Sequence, residues 1–469
     1  MDTIAAFGNS QFPDVHRADG KAYAWFPQVL HVCRYLRGIS VDCSAIWSYV
    51  DTSWPHLVGE LLRRSGSTPL TVIVQLNEGE DPKSPYNQAI RLVLEEMHRI
   101  KSLQFHGTAL HSDLLRLVLP VQAPCLENLV MTSRSLSELP ETFFGHPASN
   151  SKRMNIKRLF VFNMQVPTQP HVLQNLQYLK INRSRISHPI PNMSSVSQIV
   201  GVLGHCQNLI DFEYNDYDDL HMPVADLDTR LAPVALPHLR RIHMTLNANS
   251  SVCILGHLIV KTGISIHISG NYVLNSDAPI QPTYLLGCKS IKAEVWGSFF
   301  IEPECDMHLD FQRQSYSWEY IFQALPQLFG SVLSQLLKFE LDECGDLYLY
   351  RASFSEAWKP LLSSFKSLES LSLNLSLSDV AAGFMDALCE TNSGQLVCPN
   401  LRELTLDIRW PSDPPESVWE KMFLCLRRRN ELHSRLATLD ISECNRVKPD
   451  PEQVRILASL VDALIVPSS

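Results

Sequence analysis

One short apolar pattern recurs along this chain and restricts its fold more than any other feature. Each copy has an apolar residue, two further positions, a second apolar residue, one further position and a third apolar residue. Copies begin at Leu126, Ile156, Leu176, Leu209, Leu239, Leu336, Leu368, Leu401 and Leu436, and Ile100 begins a further one. Because the last two apolar residues of a copy lie two positions apart, they face the same side of a short strand. Each copy therefore predicts a strand that buries one face.

The segments between copies have the spacing of amphipathic helices. In residues 194–206, apolar side chains recur at i, i+3, i+4 and i+7 after serines that can cap a helix. Residues 379–390 and 416–431 show similar spacing, and the arginines that end the second segment suit the negative end of a helix dipole. Strand and helix alternate at steps of 20 to 35 residues. This order predicts an α/β fold, a leucine-rich-repeat-like solenoid of parallel strands alternating with helices, in which units bury their faces by stacking.

The interval between Leu239 and Leu336 is 97 residues long and contains no clear copy. It is about three steps long, and it has strand-like segments from Ile264 and Ile291. We therefore predict degenerate copies there. Other parallel α/β proteins also alternate strand with helix, but a dinucleotide-binding domain needs a glycine-rich turn, and G-x-G-x-x-G does not occur.

A leucine-rich repeat also has an asparagine or cysteine position, where the side chain satisfies backbone groups at the turn. Asn247, Cys344 and Cys444 fill this position, and most copies leave it unfilled.

Composition excludes several classes of function. Lys and Arg number 40 against 49 Asp and Glu, a net charge of -9, and no basic block is long enough to follow a phosphate backbone. We expect no nucleic-acid partner. No apolar run is long enough to cross a membrane, and the first residues lack a signal-peptide pattern. We therefore expect no membrane partner and a cytoplasmic or nuclear location.

The sequence contains no recognisable catalytic or cofactor motif. The 12 cysteines are scattered, without the close pairs of structural zinc sites. No phosphate-binding loop, nucleophile elbow or H-E-x-x-H motif occurs. We expect a protein that is not an enzyme and that has no cofactor.

Residues 29–50 are unusually rich in His, Cys, Arg and Trp, and their spacing predicts two short helices. Val29, Val32 or Cys33, and Leu36 would share one helical face, and GISVDCSA would interrupt the helix. Ile46, Trp47 and Val50 would form the apolar face of the second helix. Such a pair of helices can cap a repeat array or dock on a partner.

The same stretch resembles the second half of the F-box in large fungal families of F-box proteins, whose pattern is W-x-x-V-x-H-V-C-R-x-W-R, a spacer and L-W. The matching residues run from Phe26 to Arg37, and Trp47 follows at the family's spacing. Residues 60–74, ELLRRSGSTPLTVIV, and the repeats resemble the same family. Phe26, Leu36 and Ser44 replace the usual Trp, Trp and Pro, and nothing in residues 1–25 matches the first F-box helix. The motif is thus expected to be truncated.

In that family the F-box docks on the Skp adaptor of a cullin-RING ubiquitin ligase, and the repeats hold a target protein. The resemblance implies a non-catalytic substrate-recognition subunit whose partners are the Skp adaptor and an unknown protein substrate. The adaptor-docking candidates are Val29, His31, Val32, Cys33, Arg34, Leu36, Ile46 and Trp47.

Two alternatives stay open: an interaction scaffold without a ligase connection, in which the helices cap the solenoid and bury Leu36 and Trp47, and a truncated F-box relic. The expected domains are an N-terminal segment at 1–24, an F-box-like helical region at 25–57 and a solenoid at 58–469.

One further segment could bind a partner. DFEYNDYDDL, residues 211–220, places five acidic residues and two tyrosines directly after a predicted strand. These side chains could receive a basic peptide, and the alternative is a solvated acidic loop. The candidate acidic patch comprises Asp211, Glu213, Asp216, Asp218 and Asp219.

Overall fold

The fold is described from a computed structural model of the chain. It describes residues 33–76, 84–107, 123–137, 155–164, 166–183, 196–216, 231–246, 248–260, 264–270, 290–295, 307–311, 322, 325–326, 330, 333–343, 354–375, 378–392, 395–408, 416–444 and 449–467.

An α-helix directly follows nine of the twenty strands along these described residues. The α-helices are α1 (Arg34–Asp42), α2 (Pro55–Ser65), α3 (Pro85–Glu95), α4 (Pro170–Leu173), α5 (Val196–Gly204), α6 (Ala248–Gly256), α7 (Phe354–Ser364), α8 (Ser378–Cys389), α9 (Glu416–Glu431) and α10 (Pro451–Leu460). Two 3-10 helices span Ser44–Ser48 and Met97–Arg99.

The strands are short, as the repeated pattern predicts. They are β1 (Tyr49–Asp51), β2 (Leu70–Leu76), β3 (Ile100–Gly107), β4 (Asn128–Ser137), β5 (Arg158–Met164), β6 (Tyr178–Arg183), β7 (Asp211–Asp216), β8 (Val234–Leu236), β9 (Arg241–Thr245), β10 (Leu258–Val260), β11 (Ser265–Gly270), β12 (Ser290–Val295), β13 (Met307–Phe311), β14 (Lys338–Glu343), β15 (Ser370–Leu375), β16 (Thr391–Asn392), β17 (Gln395–Leu396), β18 (Glu403–Ile408), β19 (Thr438–Asp440) and β20 (Ala463–Ile465).

Sixteen strands form one broad sheet, in the order β1-β2-β3-β4-β5-β6-β7-β9-β11-β13-β12-β14-β15-β18-β19-β20. Every neighbouring pair in it is parallel. Parallel neighbours cannot be joined by a tight hairpin, so the chain must cross over between them, and helices make many of these crossovers. The α/β class, with parallel strands alternating with helices, is confirmed.

Alternation along strands such as β6, β15 and β18 gives these strands one buried face. In β6, Leu179 and Ile181 are buried, whereas Tyr178 and Lys180 are partly exposed. The buried residues of neighbouring strands share the same register, as in the pairing of Leu179 with Phe212. They join one continuous apolar cluster that also contains helix residues. The apolar residues of the repeated pattern therefore build this core.

Each copy of the pattern leads into a strand of the large sheet: β3, β4, β5, β6, β7, β9, β14, β15, β18 and β19. The predicted helices at 194–206, 379–390 and 416–431 are α5, α8 and α9. The weak segments from Ile264 and Ile291 form β11 and β12, as predicted. β13 was not predicted, although Met307, Leu309 and Phe311 alternate with polar residues. It pairs with both strands and lies between them in the sheet, so β13 precedes β12 in the sheet order.

The structure describes one of the three residues at the predicted asparagine or cysteine position of the repeat. Cys444 is buried, and its thiol donates to the carbonyl oxygen of Leu406 at 3.2 Å. This contact satisfies a backbone group, as we expected of a cysteine at this position. Asn247 and Cys344 lie outside the described residues.

The N-terminal region differs from its predicted form. The helix does not stop at GISVDCSA: α1 continues through Gly38 to Asp42. The second predicted helix is a single 3-10 turn, and Val50 lies in β1, where it pairs with Val72 of β2. An apolar spacing that covers only five residues cannot distinguish a helix from a turn followed by a strand. The expected domain boundary between residues 57 and 58 falls inside α2.

Candidate functional site

The predicted docking residues fall into two groups in the structure. Cys33 and Arg34 are exposed at the start of α1, and Leu36 lies within α1. Val29, His31 and Val32 lie outside the described residues, as does the side chain of Leu36. The predicted shared face of this first helix therefore stays a prediction.

Trp47 is an interior residue, with 4% of its surface exposed. Its indole nitrogen donates to the backbone oxygen of Ser40 in α1 at 2.9 Å, and the guanidinium of Arg64 in α2 lies 4.3 Å from its ring centroid. Trp47 therefore joins α1 to α2, and its ring is covered by the protein itself. Ile46 is half-buried against the same core. Neighbouring residues already cover the ring of Trp47, as the capping alternative expects, and its role as a docking candidate stays a prediction.

Arg64 is held over Trp47 by a second interaction. Its Nε atom lies 2.5 Å from Oε1 of Glu60, and Nη2 of Arg63 lies 2.6 Å from the same oxygen. Hydrogen bonds from Arg63 and Arg64 lower the pKa of Glu60 to about 2. The carboxylate therefore stays ionised at neutral pH and keeps Arg64 oriented toward the tryptophan.

Other apolar residues of this region are exposed instead. Five of the eleven exposed large apolar side chains among the described residues lie within residues 35–57. We name them the N-terminal apolar set: Tyr35, Ile39, Val41, Trp54 and Leu57. Tyr35 is 75% and Ile39 is 48% exposed, and their i, i+4 spacing places them on one side of α1. The sequence analysis did not predict this set, because it ended the helix before Ile39 and because apolar spacing does not distinguish an exposed from a buried helix face.

The candidate acidic patch is matched by cations on neighbouring strands. Asp211 of β7 pairs with Arg241 of β9 at 2.9 Å, and Glu213 pairs with Lys180 of β6 at 2.8 Å. These pairs lie on the partly exposed side of the sheet and join three successive strands. Asp218 and Asp219 lie outside the described residues.

Asp216 has a structural position. It is buried, and its Oδ2 atom accepts from Arg183 at 2.9 Å and from the hydroxyl of Tyr214 at 3.1 Å. A buried carboxylate must be paired, because removal from water strongly disfavours its charge. Asp216 therefore already has partners within the protein, and its membership of a partner-binding patch stays a prediction.

Two buried thiols among the described residues, Cys206 and Cys253, do not resemble catalytic nucleophiles. Burial raises the pKa of Cys206 to about 12 and the pKa of Cys253 to about 11, so both are protonated at neutral pH. In the part of the chain that the structure describes, no group of three or more His, Cys, Asp or Glu side chains could hold a metal ion.

No protein-family model matches the chain, and no curated protein matches it significantly. None of the described helices is both long and apolar enough to span a lipid bilayer.

Proposed function

We propose that the protein is a non-catalytic recognition subunit of a Skp-cullin-F-box-type ubiquitin ligase. Its N-terminal region would dock on the Skp adaptor, and its repeats, as a leucine-rich-repeat solenoid, would hold a target protein. The observation that carries this proposal is the N-terminal apolar set, which lies in the region that resembles an F-box. Exposed apolar residues concentrated in one region are typical of protein interfaces, and Tyr and Trp are frequent hot spots there.

The sheet supports the solenoid part of the proposal. Its strands are parallel and almost all follow chain order, and α7, α8, α9 and α10 pack successively against one another. Each unit thus buries its face mainly against the next, as repeat proteins do. Such arrays offer a long, partly exposed strand face on which a target protein can bind.

A second candidate function is an interaction scaffold in which the N-terminal region only caps the repeats. The burial of Trp47 and the pairing of β1 with β2 favour this role, because both attach residues 40–51 to the first repeats. Capping does not require Tyr35 and Ile39 to be exposed. Substitution of these two side chains therefore distinguishes the two candidate functions.

The test is binding of the full chain to purified Skp adaptor, measured by biolayer interferometry. We expect the double variant Tyr35→Ser, Ile39→Ser to lose on the order of tenfold or more in affinity, because two apolar anchors are removed. Leu424→Ser is the matched control, since Leu424 is 61% exposed on the distant α9. It should leave the affinity unchanged.

The folded state is checked by thermal unfolding. Substitutions of exposed side chains should shift the free energy of unfolding by less than about 0.5 kcal/mol. Failure of the wild-type chain to bind the adaptor would reject the ligase proposal and favour the scaffold or a relic. Equal loss in the Leu424→Ser control would reject the N-terminal apolar set as the docking surface.

A further inference from the structure

A cavity of about 620 Å³ lies where β5, β6, β7 and β9 begin. We name it the strand-start groove. Most of its lining comes from residues one to three positions before the first residue of each of these strands. The groove therefore crosses four neighbouring strands of the sheet.

The residues one position before each strand form a regular row. They are Lys157, Gln177, Ile210 and Arg240. The backbone nitrogen of each of the last three donates to the backbone oxygen of the preceding member at 2.8 Å. The row thus has one residue for each strand, and its ends are about 14 Å apart, or three strand spacings.

A second row lies three positions before each strand. It consists of Asn155, Asn175, Asn208 and His238. The residues between the two rows, Ile156, Leu176, Leu209 and Leu239, are all buried. Alternation therefore directs both rows to the groove side while the intervening apolar residues face the core. The Nδ2 atom of Asn208 donates to the backbone oxygen of Gln174 at 2.8 Å, which fixes that side chain to the preceding unit.

Charge in the groove has one sign. The titratable side chains that line it are Lys157, His238 and Arg240, all basic, although the whole chain has a net charge of -9. Two carboxylates lie nearby. Glu127 is shared by Lys157 at 3.1 Å and Lys101 at 3.7 Å, so these three side chains keep one net positive charge, and Asp211 pairs with Arg241 at 2.9 Å. Arg240 is exposed at one end of the row, and Lys157 is half-buried at the other. The groove therefore suits an anionic ligand with charges at both ends.

The amides between these cations suit a peptide main chain. Asn and Gln side chains both donate and accept, so they can bond the N–H and C=O groups of an extended segment. An extended chain rises about 3.4 Å per residue, so four residues span about 14 Å, the separation of the row's ends. Carboxylates four positions apart would therefore reach Lys157 and Arg240 together.

We infer that the strand-start groove binds an extended acidic segment of a target protein, in which two carboxylate side chains lie four positions apart. The inference rests on the proposed function in one respect, because the segment would belong to the protein that the repeats hold. It does not depend on binding of the adaptor.

The test uses the full chain and fluorescein-labelled nonapeptides of Ser, Ala and Gly, read by fluorescence anisotropy. One peptide has Glu at positions 3 and 7, a second has the two Glu residues adjacent, and a third has Gln in their place. We expect the first peptide to bind most tightly. Its affinity should fall as the salt concentration is raised, because salt screens exposed charge pairs. Arg240→Gln should weaken it roughly two- to fivefold.

Arg402→Gln is the matched control. Arg402 is exposed and precedes β18 at the equivalent position, but it lies outside the groove. It should leave the affinity unchanged. Equal binding of the first two peptides, or equal losses in Arg240→Gln and Arg402→Gln, would overturn the inference.

Citrate distinguishes a peptide site from a small-anion site. If the peptides show no preference for spacing but citrate binds and requires Arg240, the groove is a small-anion site and the inference is wrong. The same protein samples are assayed against the Skp adaptor. If the chain binds the adaptor but shows no spacing-dependent binding of peptides, only the inference about the groove is rejected. If it shows spacing-dependent binding of peptides but does not bind the adaptor, only the ligase connection is rejected.

Discussion

Single arginines make several of the buried polar contacts between units. Arg429 is fully buried in α9 and donates to the backbone oxygens of Val397 at 3.1 Å and Cys398 at 2.9 Å, in the segment that leads to β18. Arg99 likewise donates to the backbone oxygens of Leu62 and Thr68, at the C-terminal end of α2. The planar guanidinium presents several donors in a fixed geometry, so one side chain satisfies two buried carbonyls.

Replacement of Arg429 by lysine should be strongly destabilising. Lysine keeps the charge but cannot reach both carbonyls in the same geometry, so a buried acceptor loses its partner. We expect Arg429→Lys to lower the free energy of unfolding by about 3 kcal/mol, measured by urea denaturation. The adjacent Arg428 is exposed, and Arg428→Lys should cost less than about 0.5 kcal/mol. Equal stability of the two variants would show that the two buried bonds contribute little.

At the scale of elements, both ends of the large sheet are formed by strands of three residues, β1 and β20. Short edge strands limit pairing with other chains. The helix before β20, α10, has a complete capping box: the Asp450 side chain accepts from the backbone nitrogen of Gln453 at 2.7 Å, and the Gln453 side chain accepts from the backbone nitrogen of Asp450 at 3.0 Å. This cap holds α10 in place beside the last strand.

Removal of the cap should loosen α10 locally. We expect Asp450→Ala to cost about 1 kcal/mol, because the first turn loses an acceptor for its free N–H groups. Hydrogen exchange followed by mass spectrometry should show faster exchange in residues 451–460. Asp450→Asn keeps an acceptor and should retain most of the protection. Equally fast exchange in both variants would mean that the cap does not stabilise this helix.

At the scale of the whole molecule, each strand of the large sheet that the structure describes is hydrogen-bonded to the strands beside it in the sheet order. The apolar cluster includes residues from Trp47 to Val461 and so runs along this order. For the solenoid that we propose, we expect stability to be close to a sum of local and nearest-neighbour contributions. A destabilising substitution should therefore affect mainly the strands and helices next to it.

Two matched cavities test this locality. Leu439 of β19 and Leu103 of β3 are both fully buried, and each change to alanine should cost about 2–5 kcal/mol. Leu439→Ala should speed hydrogen exchange in β18 to β20 and leave β2 to β4 protected, whereas Leu103→Ala should do the reverse. Faster exchange throughout the sheet in either variant would instead indicate one cooperative folding unit.

Local apolar periodicity, visible in the sequence, predicted ten strands of the large sheet and the helices α5, α8 and α9, because each side chain's inward or outward direction follows from spacing alone. The segment of β13 has alternating apolar residues but lacks the apolar residue that begins each copy of the pattern. Gly38 does not end α1, because the helix continues to Asp42.

Only the tertiary structure decided which side chains of that region are accessible. Ser40 and Arg64 cover Trp47, whereas Tyr35 and Ile39 remain exposed. The carboxylates of β7 have partners on other strands, and the groove residues become neighbours only when four units stack. Exposure, pairing and proximity depend on contacts between residues far apart in the chain, and spacing within one segment carries no information about them.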